Sequence, residues 1–120
     1  MSALLENKLG SITYTDDYIG SLVGMVATES YGVVGMASQN KMSDGIVELL
    51  GRENLKRGVK VTTDGTNVIS IELYIVVQYG LSITASANSI IETIKYQVER
   101  STGLQVKDVN VIVSGIRVQK

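Results

Sequence analysis

The stretch "GVKVTTDGTNVISIELYIVVQYG", Gly58 to Gly80, decides how this chain folds. Asp64-Gly65 is a two-residue hairpin signal, because glycine accepts the backbone twist that antiparallel strands require of a tight turn. Beyond it Ile69, Ile71, Leu73, Ile75, Val77 and Tyr79 alternate onto one face of a long strand. The other face carries Val68, Ser70, Glu72, Tyr74, Val76 and Gln78, polar at its start and apolar towards its end. A strand of this kind buries one face under a second layer and turns the other outward.

The segments on either side supply that second layer. Asp16 to Ser30 places Ile19, Leu22, Val23, Val26 and Ala27 at steps of three and four, the stripe of an amphipathic helix. Thr15 is its N-cap, and Asp16 and Asp17 occupy the first turn, where the helix dipole favours acids. Gly20 and Gly24 on its flank allow a neighbouring element to approach closely. A second helix, from about Ser82 to Thr102, lines Ile83, Ala87, Ile90, Ile91, Ile94 and Val98 along its inner side and ends at Gly103. The last strand, "LQVKDVNVIVSGI", points Val109, Val111 and Val113 inward and Asn110, Ile112 and Ser114 outward. A short strand over Gly10–Thr15, an extended "VVGMA" after the first helix and a short helix over Ser43–Gly51 complete the order.

The expected fold is therefore α+β: a single two-layer domain over 1–120, with two long helices on one face of a mixed or antiparallel sheet. Its order is β-α-β-(short α)-β-β-α-β, and residues 1–9 are expected to be a loosely held N-terminus.

Composition removes most kinds of active site. The chain has no histidine and no cysteine, so Ser-His-Asp and Cys-His nucleophilic sites and ordinary zinc sites are impossible. No cofactor or metal is expected. A net charge of -1 argues against strong non-specific nucleic-acid binding, which needs surplus Lys and Arg. No apolar run approaches the ~20 residues that span a bilayer, and no secretory leader is visible, so a cytoplasmic location is expected.

Two surfaces remain. Tyr74 and Val76, with Ile112 on the last strand, interrupt the polar row of the outer sheet face and form a candidate interaction surface. Arg52, Lys56, Arg57 and Lys60 are a local basic excess, a candidate patch for an anionic partner. "YGVVGMAS", Tyr31 to Ser38, contains Gly32-x-x-Gly35, but its glycines follow a helix C-terminus, whereas a phosphate cradle precedes an N-terminus.

The runs "YIGSLVGMVATESYGVVGMA", "VISIELYIVVQYG" and "VERSTGLQVKDVNVIVSGI", in this order and spacing, resemble the bacterial alkaline shock protein, or envelope stress response, family, in its YloU-like branch. The resemblance covers about Gly10 to Val118. It implies a small cytoplasmic, non-enzymatic protein that binds a protein partner or itself. It also implies indirect association with the inner face of the membrane through an integral-membrane partner, and a functional link to a dihydroxyacetone-kinase-like, fatty-acid-handling kinase. The alternative reading is a small nucleic-acid-binding module built on Gly32-x-x-Gly35 and the Arg52–Lys60 stretch.

Overall fold

The structure is a computed structural model that describes residues 2–39, 49–80 and 83–118. Its elements run β1 (Ser2–Asn7), β2 (Gly10–Thr15), α1 (Asp16–Thr28), β3 (Val33–Met36), a 3-10 helix (Arg52–Gly58), β4 (Val59–Asp64), β5 (Val68–Gln78), α2 (Ile83–Thr102) and β6 (Gln105–Arg117).

The long strand organises everything. One edge of β5 pairs antiparallel first with β4, over Val68 to Leu73, and then with β3, over Ile75 to Val77. β3 and β4 thus lie end to end along a single edge. The other edge of β5 pairs in parallel with β6 along its whole length, from Val68↔Gln105 to Gln78↔Arg117. The β5–α2–β6 run is a crossover unit, which is what a parallel neighbour demands of the connecting chain.

The core lies on one side of this sheet. Ile69, Ile71, Leu73, Ile75 and Val77 of β5 join Ile19, Val23 and Ala27 of α1 and Ile90, Ile94 and Val98 of α2 in one buried cluster. Burying a side chain of this size removes it from water at a gain of about 1.5–3 kcal/mol each, so alternation along β5 translates directly into the layer arrangement. Thr15 caps α1 by accepting from the Tyr18 amide at 3.1 Å. Gly103, at φ +77, closes α2 with its N–H on the Glu99 carbonyl at 2.9 Å.

The two α1 glycines serve close packing, as their spacing predicts. A Cβ at Gly24 would stand 2.7 Å from Leu55 Cβ, and one at Gly20 would stand 3.2 Å from Lys56 Cβ. The 3-10 helix therefore lies directly on this flank of α1.

Four expectations are corrected. Residues 2–7 are not loosely held: β1 pairs antiparallel with β2, Ala3 is buried, and the Leu4 amide donates to the Thr66 carbonyl at 2.7 Å. The β4–β5 connection is longer than two residues, because Asp64 pairs with Val68 and leaves 65–67 in the loop, with Gly65 at φ +79. Tyr79 is exposed, since β5 ends at Gln78 and the alternation stops there. Val113, expected inward, is 36% exposed because no buried residue of α2 precedes Ile90, so the first turns of that helix leave this end of the sheet uncovered. The short helix expected over Ser43–Gly51 lies outside the described residues as far as 48. Leu49 makes an isolated antiparallel bridge with Ala37.

Candidate interaction surface

Side chains of β4, β5 and β6 that do not enter the core project from the opposite face of the sheet. Cross-strand register sets them in rows. Lys60, Glu72 and Asn110 form one, and Thr62, Ser70 and Asp108 another. Tyr74 and Ile112 form the next, and Gly35, Val76 and Gly115 the one beyond. The face is thus polar at the β4 end and apolar at the β3 end.

Tyr74 and Ile112 are direct neighbours across the β5–β6 ladder, and both are half-buried. The Tyr74 hydroxyl donates to Glu72 Oε2 at 2.8 Å, which holds the ring along the face. That hydrogen bond, then partial burial, then the negative charge of Glu72 raise the phenol above its ordinary value. A tyrosine fixed this way offers a flat apolar surface at small entropic cost.

Val76 does not belong to the exposed patch. It is fully buried, although it lies outside the core cluster. Its neighbours in the sheet are Gly35 and Gly115, neither with a side chain to hold it off the surface. Leu49 sits over Gly35, its Cδ2 3.2 Å from where a Cβ would stand. The candidate surface therefore reduces to Tyr74 and Ile112.

Lys56 and Lys60 do not converge. Lys56 pairs with Asp17 of α1 at 3.2 Å, both exposed, an ion pair that contributes little by itself. Arg57 is exposed and its carbonyl accepts from the Gln39 amide at 3.3 Å. Lys60 is on β4, on the open face, opposite Glu72. Arg52 opens the 3-10 helix. Acidic partners beside Lys56 and Lys60 break what looks basic in sequence.

Gly32-x-x-Gly35 is not a phosphate loop. Gly32, at φ +86, ends the turn after α1, and its carbonyl accepts from the Gln78 amide at 2.9 Å. Val33 to Met36 are strand β3, with a bulge between Val33 and Gly35. The Val33 amide donates to the Ser30 carbonyl, Val33, Gly35 and Met36 pair with β5, and Leu49 covers Gly35. Among the described residues no group of three or more His, Cys, Asp or Glu is placed to hold a metal, and no helix is long and apolar enough to cross a membrane.

A family model for the alkaline shock protein 23 family, described as having a cell envelope-related function, matches residues 5–118. The chain belongs to that family. It is 42% identical to YloU of Bacillus subtilis over 118 residues, 98% of each chain. It is 39% identical to Spy1614 of Streptococcus pyogenes over 98% of this chain and 97% of that one. A stress response regulator gls24 homolog of Streptococcus pyogenes is 28% identical over 92% of this chain, which spans 61% of that longer protein. No solved structure matches.

The residues that sequence reasoning missed lie at one end of the molecule. Ile83, Val113, Ile116, Val118 and Tyr79 are all exposed, around the end of the sheet where β5 and β6 finish. Alternation assigns Val113 to the core and cannot show that the covering helix starts too late.

Proposed function

We propose that this member of the family is a non-enzymatic interaction protein, acting in the cytoplasm through the uncovered face of its sheet. The observation that carries the reading is the Tyr74–Ile112 pair: adjacent, half-buried apolar side chains on a face whose other exposed rows are polar. A single-layer face in water keeps such positions polar unless something covers them. The family's cell envelope-related description and the regulator name of a relative support a role without chemistry of its own. The sequence agrees, since a chain lacking His and Cys has no neutral-pH base or thiolate nucleophile. In this reading the partner is a protein, an integral-membrane one holding the chain at the inner face of the membrane. A functional link to a dihydroxyacetone-kinase-like enzyme is the second expected connection.

The test is capture of partners by the full chain from its native cells, comparing wild type with Tyr74→Lys/Ile112→Thr. Lysine can pair with Glu72, and threonine keeps the β-branched shape, so circular dichroism is expected to be unchanged. Loss of the captured protein and of membrane co-sedimentation is the expected result. A variant that still captures the same protein would remove this face from the function.

A further inference from the structure

We propose that β6 is a homotypic edge: two copies of the chain join their sheets by antiparallel pairing of β6 with β6, about a two-fold axis through Val111. The inference deepens the interaction reading above and rests on it.

Among the described residues β6 pairs with β5 alone, so one side of a 13-residue strand carries no ladder. Which of its groups face outward follows from the hydrogen bonds of β5. The Tyr74 carbonyl accepts from the Ala37 amide, on the edge away from β6. Leu73 and Ile75 therefore turn their backbone groups towards β6. In a parallel ladder they bond to the residues that flank their partners Val111 and Val113. Val109, Val111 and Val113 are left with N–H and C=O directed away from the sheet.

The two ends of this free edge are closed. Bulges interrupt β6 between Val106 and Asp108 and again between Val113 and Gly115. The Gln105 amide donates inward to the Asn67 carbonyl, so the Val106 amide points outward, and Glu99 Oε2 accepts it at 2.9 Å. Lys107 pairs with Asp64 at 3.6 Å. These are devices that stop an edge from adding strands. None acts on the stretch from Val109 to Val113, which has no charge and three valines with outward amides.

What fits there is a second copy, and the register is set by the strand itself. Between the bulges, a two-fold centred on Val111 forms the hydrogen-bonded pairs 109/113′, 111/111′ and 113/109′. Centres at 110 or 112 form only two such pairs. The same register covers exposed apolar surface. Val113 is 36% exposed and Ile116 51%, whereas Val109 and Val106 are buried. Pairing about Val111 sets Val113 beside the covered Val109 of the other copy and Ile116 near its Val106. The reach of Glu99 to the Val106 amide shows that the last turns of α2 stand over this edge, so each copy's α2 roofs the other's uncovered end. That contribution is needed, because a short backbone ladder by itself falls below the ~800 Å² per partner of a stable interface.

The register makes a test that a chain free of cysteine renders clean. Asn110 and Ile112 of different copies form the narrow pair, with Cα atoms about 4.5 Å apart and within disulfide range. Asn110→Cys and Ile112→Cys are prepared separately, and each alone places its thiols two residues out of register. On mild oxidation the mixture is expected to give a linked heterodimer, and neither variant alone a comparable homodimer. Val111→Pro removes an amide that serves no intramolecular bond, so by sedimentation velocity the full chain should change from dimer to monomer with its circular dichroism retained. Cross-linking no greater in the mixture than in the single variants would overturn the proposal, as would a folded Val111→Pro protein that stays dimeric. A monomeric wild type that still captures a partner through Tyr74 and Ile112 would also overturn it, while leaving the interaction reading intact.

Discussion

Along one edge of β5 the chain lays two short strands end to end; along the other it lays one strand of 13 residues. The short-strand edge is closed along β3. Leu49 bridges Ala37, and the Leu50 amide donates to the Met36 carbonyl at 2.9 Å, which takes up the outer side of β3. Gly58 fills the corner between the two strands, and β4 carries Lys60 and Asp64 outward. The β6 edge is interrupted only at its ends, by Glu99 and the bulge at Lys107 and by the bulge between Val113 and Gly115, among the described residues. A fold that blunts the β3 edge and leaves Val109, Val111 and Val113 open on the other is arranged for pairing on that side.

The largest expected effect falls on the closed edge. A Cβ at Gly58 would stand 2.5 Å from the Ala37 carbonyl oxygen and 3.1 Å from Met36 Cε, so there is no room for a branched side chain. Gly58→Val is expected to destabilise the fold by about 3 kcal/mol in urea titration, the upper range of overpacking. If it were neutral, the corner would be looser than its contacts state, and the contrast between the edges would weaken.

A smaller effect is expected where the β6 edge is capped. Glu99→Ala frees the outward Val106 amide and removes a charge-assisted hydrogen bond, at a cost of about 1.5 kcal/mol by chemical denaturation. Association should be unaltered, because Val106 lies beyond the bulge that ends the free stretch. Weaker association in this variant would extend the pairing edge past Lys107.

The smallest effect is on the open face. Tyr74 is one of 6 tyrosines, and Glu72 raises its pKa by accepting a hydrogen bond from its hydroxyl and by charge. Glu72→Gln should therefore bring one phenol back down towards its ordinary value in an ultraviolet titration. The sign of the linkage follows. A phenol raised on folding adds stability at pH values below its unfolded pKa, and loses that contribution as pH rises through the folded one. The wild type should thus lose slightly more stability than Glu72→Gln above roughly pH 10. An identical titration would show that the Tyr74–Glu72 contact does not persist in solution.

Much of the frame is legible in the residues. The alternation along β5, the stripes of α1 and α2 and the close approach at Gly20 and Gly24 can all be read, because each is a local period with a local cause. What escapes reading has non-local causes. Val106 and Val109 are both buried although three residues apart, and only the bulge between Val106 and Asp108 allows it, so no single alternation phases β6. Val76 looks like surface because its two flanking glycines belong to distant strands. Lys56 looks free until α1 brings Asp17 to it. Ser2–Asn7 shows no clean strand pattern, since only Ala3 of β1 is buried, and its pairing with β2 holds the rest.

The contrast between the edges is tested most directly by amide hydrogen exchange of the full chain, read by NMR at several protein concentrations. The amides of Val109, Val111 and Val113 should exchange quickly when dilute and slow together as concentration rises. The Val106 amide, held by Glu99, and the Leu50 amide, held by Met36, should not respond. Fast exchange at Val109, Val111 and Val113 that is the same at every concentration would contradict the account.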